Sequence, residues 1–275
     1  MIRITPKLSL QLLTVAAAIL LFGCLSMTPY SVGFSGLPEN FDGFKIAVIS
    51  DLHNYRLGKK LDTLANQISE QAPDMAILAG DIVNKSEKNI GNVRDFLEAI
   101  AGICPVYAVA GNHEMENPYL YAELQKTYEE YGVVFLDGQT VLLERGEQQI
   151  AISNQKIVPR RGRGKFTWIA KDTEPIHKDL FNIFIHHFGN EFDSITDEYD
   201  LVISGHVHGG IIRVFNRGVI GNKTLQLFPK YTKGVYRKDS GSVMVLSAGL
   251  GNTVVPRINN PREVVIITLT VTDGE

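Results

Sequence analysis

Five short polar motifs recur along the chain: Asp51-Leu52-His53, Gly80-Asp81, Gly111-Asn112-His113-Glu114, His186-His187 and Gly205-His206-Val207-His208. Imidazole nitrogens, carboxylate oxygens and amide oxygens are the donors that borderline divalent metal ions prefer. Seven candidate ligands, Asp51, His53, Asp81, Asn112, His186, His206 and His208, exceed the needs of one ion and suit two that share a carboxylate. Asp81, on a turn after Gly80, is the natural bridge. A pair of ions about 3.5–4 Å apart is an arrangement for in-line displacement at phosphorus. The chemistry expected is therefore hydrolysis of a phosphoric ester or anhydride.

Spacing refines the roles. Residues two apart on extended backbone share a face. That places Asp51 with His53, and His206 with His208. His113, adjacent to Asn112, should point the other way, into substrate space, where an imidazole can protonate a leaving alkoxide or stabilise phosphoryl charge. His186 and His187 alternate in direction, so only one of them can be a ligand, and spacing leaves the choice open.

These residues need elements to position them. Ile46–Ser50, Met75–Ala79, Val106–Ala110, Ile183–Ile185 and Leu201–Ser204 are short runs apolar at nearly every position. Such runs read as strands buried on both faces. Helical spacing of apolar residues marks Leu57–Gln71, Asn92–Ile103 and Tyr119–Tyr131 between the early strands. Asp51, Asp81, Asn112, His186 and His206 each follow an apolar strand closely, and in α/β sheets the crevice beyond the strands' carboxyl ends is where ligands bind. The pattern predicts a layered α/β sandwich with two facing sheets.

Residues 1–25 carry Arg3 and Lys7 ahead of a run, Leu8 to Pro38, that contains no charged residue. This predicts a signal peptide or membrane anchor, with the remainder of the chain outside the cytoplasm. Leu21-Phe22-Gly23-Cys24 also resembles a lipoprotein cleavage site. Residues 26–43, rich in Ser, Gly and Pro, read as a linker, and residues 44–275 as one catalytic domain. A formal charge of −3 gives no basic footprint, so no nucleic-acid partner is expected. With two cysteines, a disulfide-stapled scaffold is excluded.

Taken together, the motifs resemble the calcineurin-like metallophosphoesterase superfamily, whose pattern runs Asp-x-His, Gly-Asp, Gly-Asn-His-Glu/Asp, His, Gly-His-x-His in this order. Ser247 to Thr253, Pro256-Arg257 and Asn260-Pro261-Arg262-Glu263 resemble a narrower branch of membrane-associated bacterial phosphoesterases, some of them UDP-2,3-diacylglucosamine pyrophosphatases. The resemblance implies a four-layer αββα sandwich with two facing mixed sheets. It implies one ion held by Asp51, His53, Asp81 and His208, and another by Asp81, Asn112, His186 and His206. His113 would be the catalytic imidazole. Phe188 and Ile211 depart from residues usual in the superfamily and the branch.

Mixed nitrogen and oxygen donors suit Mn, Fe or Zn. The expected substrate is a phosphorylated small molecule or lipid, with a lipid-linked or cell-envelope diester or diphosphate leading. The N-terminal segment would provide the membrane contact. Arg160-Arg161-Gly162-Arg163-Gly164-Lys165, followed by Phe166 and Trp168, reads as a basic loop able to clamp a diphosphate or meet anionic headgroups. A metal-binding scaffold and a phosphomonoesterase acting on small soluble phosphates are the competing readings.

Overall fold

The computed structural model describes residues 25–162, 165–171, 174–214, 217–219, 227–251 and 256–273, with the backbone alone at 158–162 and 165–171. The expected apolar N-terminal segment with Cys24, as well as Arg163 and Gly164, lies outside these residues.

Two six-stranded mixed sheets face one another. The first has the order β1 (Leu25–Phe34), β16 (Arg262–Val271), β2 (Lys45–Ile49), β3 (Met75–Ala79), β4 (Val106–Val109), β5 (Val134–Phe135). From β2 to β5 all pairings are parallel, whereas β16 runs antiparallel to β2. The second has the order β14 (Gly234–Arg237), β15 (Val243–Leu246), β11 (Leu201–Gly205), β10 (Phe181–Phe188), β7 (Gln148–Asn154), β6 (Thr140–Arg145). Its four central strands are parallel and its edge pairings antiparallel.

Strand alternation divides the apolar residues between layers. Ile46, Val48 and Ile77 point between the sheets and meet Ile152, Ile183 and Ile203. Ala47, Ile49 and Leu78 point outward and are covered by α1 (Lys60–Glu70), α2 (Gly91–Ile100) and α4 (Pro118–Glu130). Each fully buried aliphatic side chain of this kind contributes about 1.5–3 kcal/mol relative to exposure. On α2 the buried residues Val93, Phe96, Leu97 and Ile100 follow helical spacing. Asn117 caps α4 by accepting from the Leu120 amide at 3.2 Å, and Pro118 occupies the first turn. The outer face of the second sheet, with Phe184, Val202, Met244 and Leu246, is covered by Phe192, Tyr199 and Tyr231. Among the described residues, that fourth layer is built from the 3-10 turn Gly189–Ser194 and loops.

Two expectations are corrected. The segment read as a linker folds into the domain: β1 pairs with β16 over ten residues, and Val32 and Phe41 are fully buried. Its Ser, Gly and Pro residues hid the alternation of Tyr30, Val32 and Phe34 toward the sandwich interior. Pro29 is tolerated because β1 is an edge strand. The basic stretch expected as a loop is an antiparallel hairpin, β8 (Lys156–Gly162) with β9 (Lys165–Lys171), and the backbone of β8 passes beside α3 (Asn112–Glu116).

Candidate metal centre

The strands end at one edge, and the loops leaving β2 and β3 stay paired as they turn. Asp51 N–H donates to Gly80 O at 3.0 Å, His53 N–H to Asp81 O at 3.0 Å, and Asn54 N–H to Ile82 O at 2.8 Å. The turning is done by left-handed backbone: φ is 51° at Asp51, 52° at His53 and 54° at Asp81, with 77° at His206 and 48° at His208. Non-glycine residues seldom adopt this region, and clusters of them mark functional sites. Asp51 and His53 therefore converge through successive left-handed turns, not through the extended alternation expected. At Gly80, φ is 85° and a Cβ would lie 2.7 Å from His187 Nδ1; at Gly111 a Cβ would lie 2.3 Å from Asp81 Oδ1. Both positions require glycine.

Backbone amides hold the carboxylates. His206 N–H reaches both oxygens of Asp51 at 3.1 Å, and His113 N–H donates to Asp81 Oδ1 at 2.8 Å. Glu114, buried behind them, accepts from Asp81 N–H at 3.0 Å, Val83 N–H at 3.0 Å and Gly111 N–H at 2.7 Å. It binds the loop after β3 to the loop after β4. Burial, then the charge of Asp81, pushes its carboxyl up to about 7.

Three groups of side chains place one donor atom each within 4.8 Å of one another: Asp51, His53 and His208; His53, Asp81 and His113; Asp81, His187 and His206. In the first, His208 Nε2 is 3.1 Å from His53 Nε2 and 3.5 Å from Asp51 Oδ1. In the third, His187 Nε2 is 3.2 Å from Asp81 Oδ2 and 3.3 Å from His206 Nδ1. His113 stands between, its Nε2 4.0 Å from Asp81 Oδ2 and its ring edge-on to His53. Asn112 is fully buried and opens α3 at the same edge.

His186 does not join them. It shares the outward face of β10 with Phe184, stacks on that ring and meets Glu191 Oε2 at 3.0 Å. His187 takes the place expected of it, on the inward side with Ile183 and Ile185, where its Nδ1 is 2.8 Å from Ala79 O. The parity of the two isoleucines was the signal available in the sequence. Spacing gave no role to Glu114 or to Arg257. Arg257 is buried and its Nη2 donates to His208 Nδ1 at 3.3 Å.

Electrostatics test whether a cation fits. Burial holds the His53 ring down to about 4 and His208 well below its usual range, so both are neutral. Since Arg257 donates to His208 Nδ1, the ring proton of His208 lies on Nε2, directed at His53 Nε2. In the other tautomer, with the proton on Nδ1, Nε2 is free, and two imidazole nitrogens and a carboxylate oxygen converge on one point. Asp51, fully buried, is pushed up to about 6 by burial, against the charge of His187. Burial lowers His187 and raises Asp81, but their mutual attraction and hydrogen bond prevail: His187 rises to about 9 and Asp81 falls well below the carboxylate range. A charged imidazolium thus sits where a cation would be held. Buried carboxylates and neutral imidazoles in this array form a donor set for divalent metal ions.

Residues 44–210 match the family model described as calcineurin-like phosphoesterase. An uncharacterized metallophosphoesterase of Aquifex aeolicus is 24% identical over 89% of this chain and 92% of its own length. The phosphodiesterase YaeI of Escherichia coli is 28% identical over 64% of each chain. Among solved structures, the sulfate thiohydrolase SoxB of Thermus thermophilus is 11% identical, with a TM-score of 0.50 over 85% of this chain and 57% of that one, a likeness of fold alone. With the ordered motifs, the converging donors and a family match over more than half its length, the chain belongs to the calcineurin-like phosphoesterases and is a metal-dependent hydrolase of phosphoric esters.

Proposed function

We propose that the protein cleaves a phosphoric diester or diphosphate in a lipid-linked or cell-envelope substrate, with two divalent ions, Mn, Fe or Zn. Asp51, His53, Asp81 and His208 would hold one ion; Asp81, Asn112, His187 and His206 the other. The observation that carries this reading is the pair of outer clusters, one built on Asp51 and one on Asp81, with His53 and His113 between them. Ions held by these residues would polarise phosphoryl oxygens and lower the pKa of bound water.

The chain's own residues do the positioning. Asp81 is fixed by the His113 amide, and Glu114 ties its loop to that of Gly111. Lys85 N–H donates to His113 Nδ1, so the neutral ring carries its proton on Nε2, facing the clusters. From there it can donate to a phosphoryl oxygen or to the leaving oxygen. The backbone of β8, which carries Arg160 and Arg161, runs beside α3, and this supports an anionic diphosphate or headgroup as substrate.

The test is a hydrolysis panel on chelator-stripped protein reloaded with single metals. A chromogenic phosphodiester, a monoester, a nucleotide diphosphate and a lipid-linked diphosphate should be compared. Metal-dependent turnover led by the diester or diphosphate is expected. Bound metal with no turnover of any of them would instead identify a scaffold.

A further inference from the structure

The parallel pairing of β1 with β16 sets Leu25 opposite Arg262, and β16 runs antiparallel to β2. The first residue of β1 therefore lies at the end of the sheet where β2 delivers Asp51. Arg262 confirms the placement, its guanidinium lying 4.7 Å from the centre of the Tyr55 ring, just beyond His53. Leu25 packs on the same apolar cluster as Tyr55 and Leu57. The charge-free apolar run that precedes Leu25 thus joins the domain at its catalytic edge, whether that run serves as an anchor or delivers a lipid on Cys24.

The same edge carries the most exposed apolar side chains. From the turn at His208, a small ladder rises: Ile258 N–H bonds Ile211 O, Val219 N–H bonds Ile212 O, and Phe228 N–H bonds Val219 O. On it Phe228 is 67% exposed, Leu227 65% and Val214 47%. Tyr119, at the start of α4, is 78% exposed. Among the described residues, no other large apolar side chain exceeds 41%. Exposed apolar side chains on a ladder that starts beside His208 mark a contact surface, and Phe and Leu suit the headgroup boundary of a bilayer.

We infer that the catalytic edge lies against a lipid bilayer, with Leu227, Phe228 and Val214 seated in the interface beside His208 and the chain tethered at Leu25. The substrate is then an amphiphilic phosphoester presented from that bilayer. The substrate statement rests on the function proposed above; the docking geometry does not. Tethering at the opposite end would hold the site away from the membrane. Tethering at this end makes capture of a lipid-borne phosphate a local search.

The full-length chain, with Cys24 kept, is reconstituted into phosphatidylcholine vesicles containing some phosphatidylglycerol. An environment-sensitive fluorescent amino acid is incorporated by codon suppression in place of Phe228 or, at the far end of β16, of Val271. Bilayer-borne nitroxide lipid should quench the first probe and spare the second. An unquenched probe at 228, or equal quenching at both positions, overturns the docking; burial of the 228 probe without quenching assigns the surface to a protein partner or a second copy. Separately, Leu227→Ser with Phe228→Ser should slow turnover of a vesicle-embedded amphiphilic diester about tenfold or more, with the rate on a soluble chromogenic diester unchanged. A parallel fall in both rates overturns the substrate statement. A parent protein inactive on every ester refutes the proposed function, and the quenching result still stands or falls by itself.

Discussion

The backbone N–H of Lys85 lies 3.2 Å from Nδ1 of His113. A backbone amide can only donate, so Nδ1 accepts and Nε2 keeps the proton that faces Asp81. A loop after β3 thereby fixes the tautomer of a histidine delivered by the loop after β4. His113→Gln should retain its metals, measured by elemental analysis, while kcat falls by about 10²–10⁴. Near-parental turnover would remove His113 from the chemistry.

His186 and His187 are neighbours in sequence and opposites in space. His187→Ala should lower metal affinity by more than the about 10–100-fold typical of supporting residues. His186→Ala should leave metal content and turnover close to parental, since its partners are Phe184 and Glu191 on the outer face. Titration calorimetry on both variants decides the assignment, and the reverse ranking would overturn it.

Glu114 accepts three backbone N–H bonds in the interior. Glu114→Ala leaves those donors without their acceptor and should destabilise the domain by about 1–3 kcal/mol per unmet group, with incomplete additivity. Denaturant unfolding with metal absent measures the loss. A change near zero would show that the loops hold their geometry without the carboxylate.

The pair His187 and Asp81 predicts opposite pH trends for stability and metal binding. His187 is raised in the fold, so its contribution to metal-free stability is full below its unfolded value and lost as pH rises through about 9. Asp81 is lowered, so its contribution is present above its unfolded value and lost as pH falls into the acid range. Metal-free protein should therefore melt highest in the mildly acidic range and lower toward pH 9. Metal affinity should climb over the same interval, because an ion must displace the His187 proton and needs Asp51, raised to about 6, ionised. Calorimetry in buffers of different ionisation enthalpy should register proton release. Affinity that stays flat from pH 6 to 9 would contradict this account.

Arg257 directs the proton of His208 toward His53. Arg257→Gln offers an amide oxygen to Nδ1 and removes a cation from behind the ligand. Metal affinity at the Asp51 cluster should rise by about tenfold or more, read by competition with a fluorescent chelator. Weakened binding would instead mean that Arg257 supports the metal-loaded form.

The sequence by itself determined the residue types, their order and the strands they follow. Runs apolar on every residue read as buried on both faces, so Ile46–Ile49, Met75–Ala79 and Leu201–Ile203 declared the two sheets, and the polar residues closing them declared the edge. Alternation along Ile183 and Ile185 also held the direction of His187, but the bulge that shifts register between Ile185 and Phe188 had to be seen before that parity could be trusted. Tertiary structure alone decided the rest. Left-handed turns at Asp51, His53, Asp81 and His208 bring together groups that period-two reasoning treats as extended. Glu114 and Arg257 acquire roles only from loops that adjoin in space. The entry of β1 at the catalytic edge follows from its pairing with the last strand, and such long-range pairing leaves no trace in local periodicity, because it is fixed by how buried faces fit and not by the order of residues along either strand.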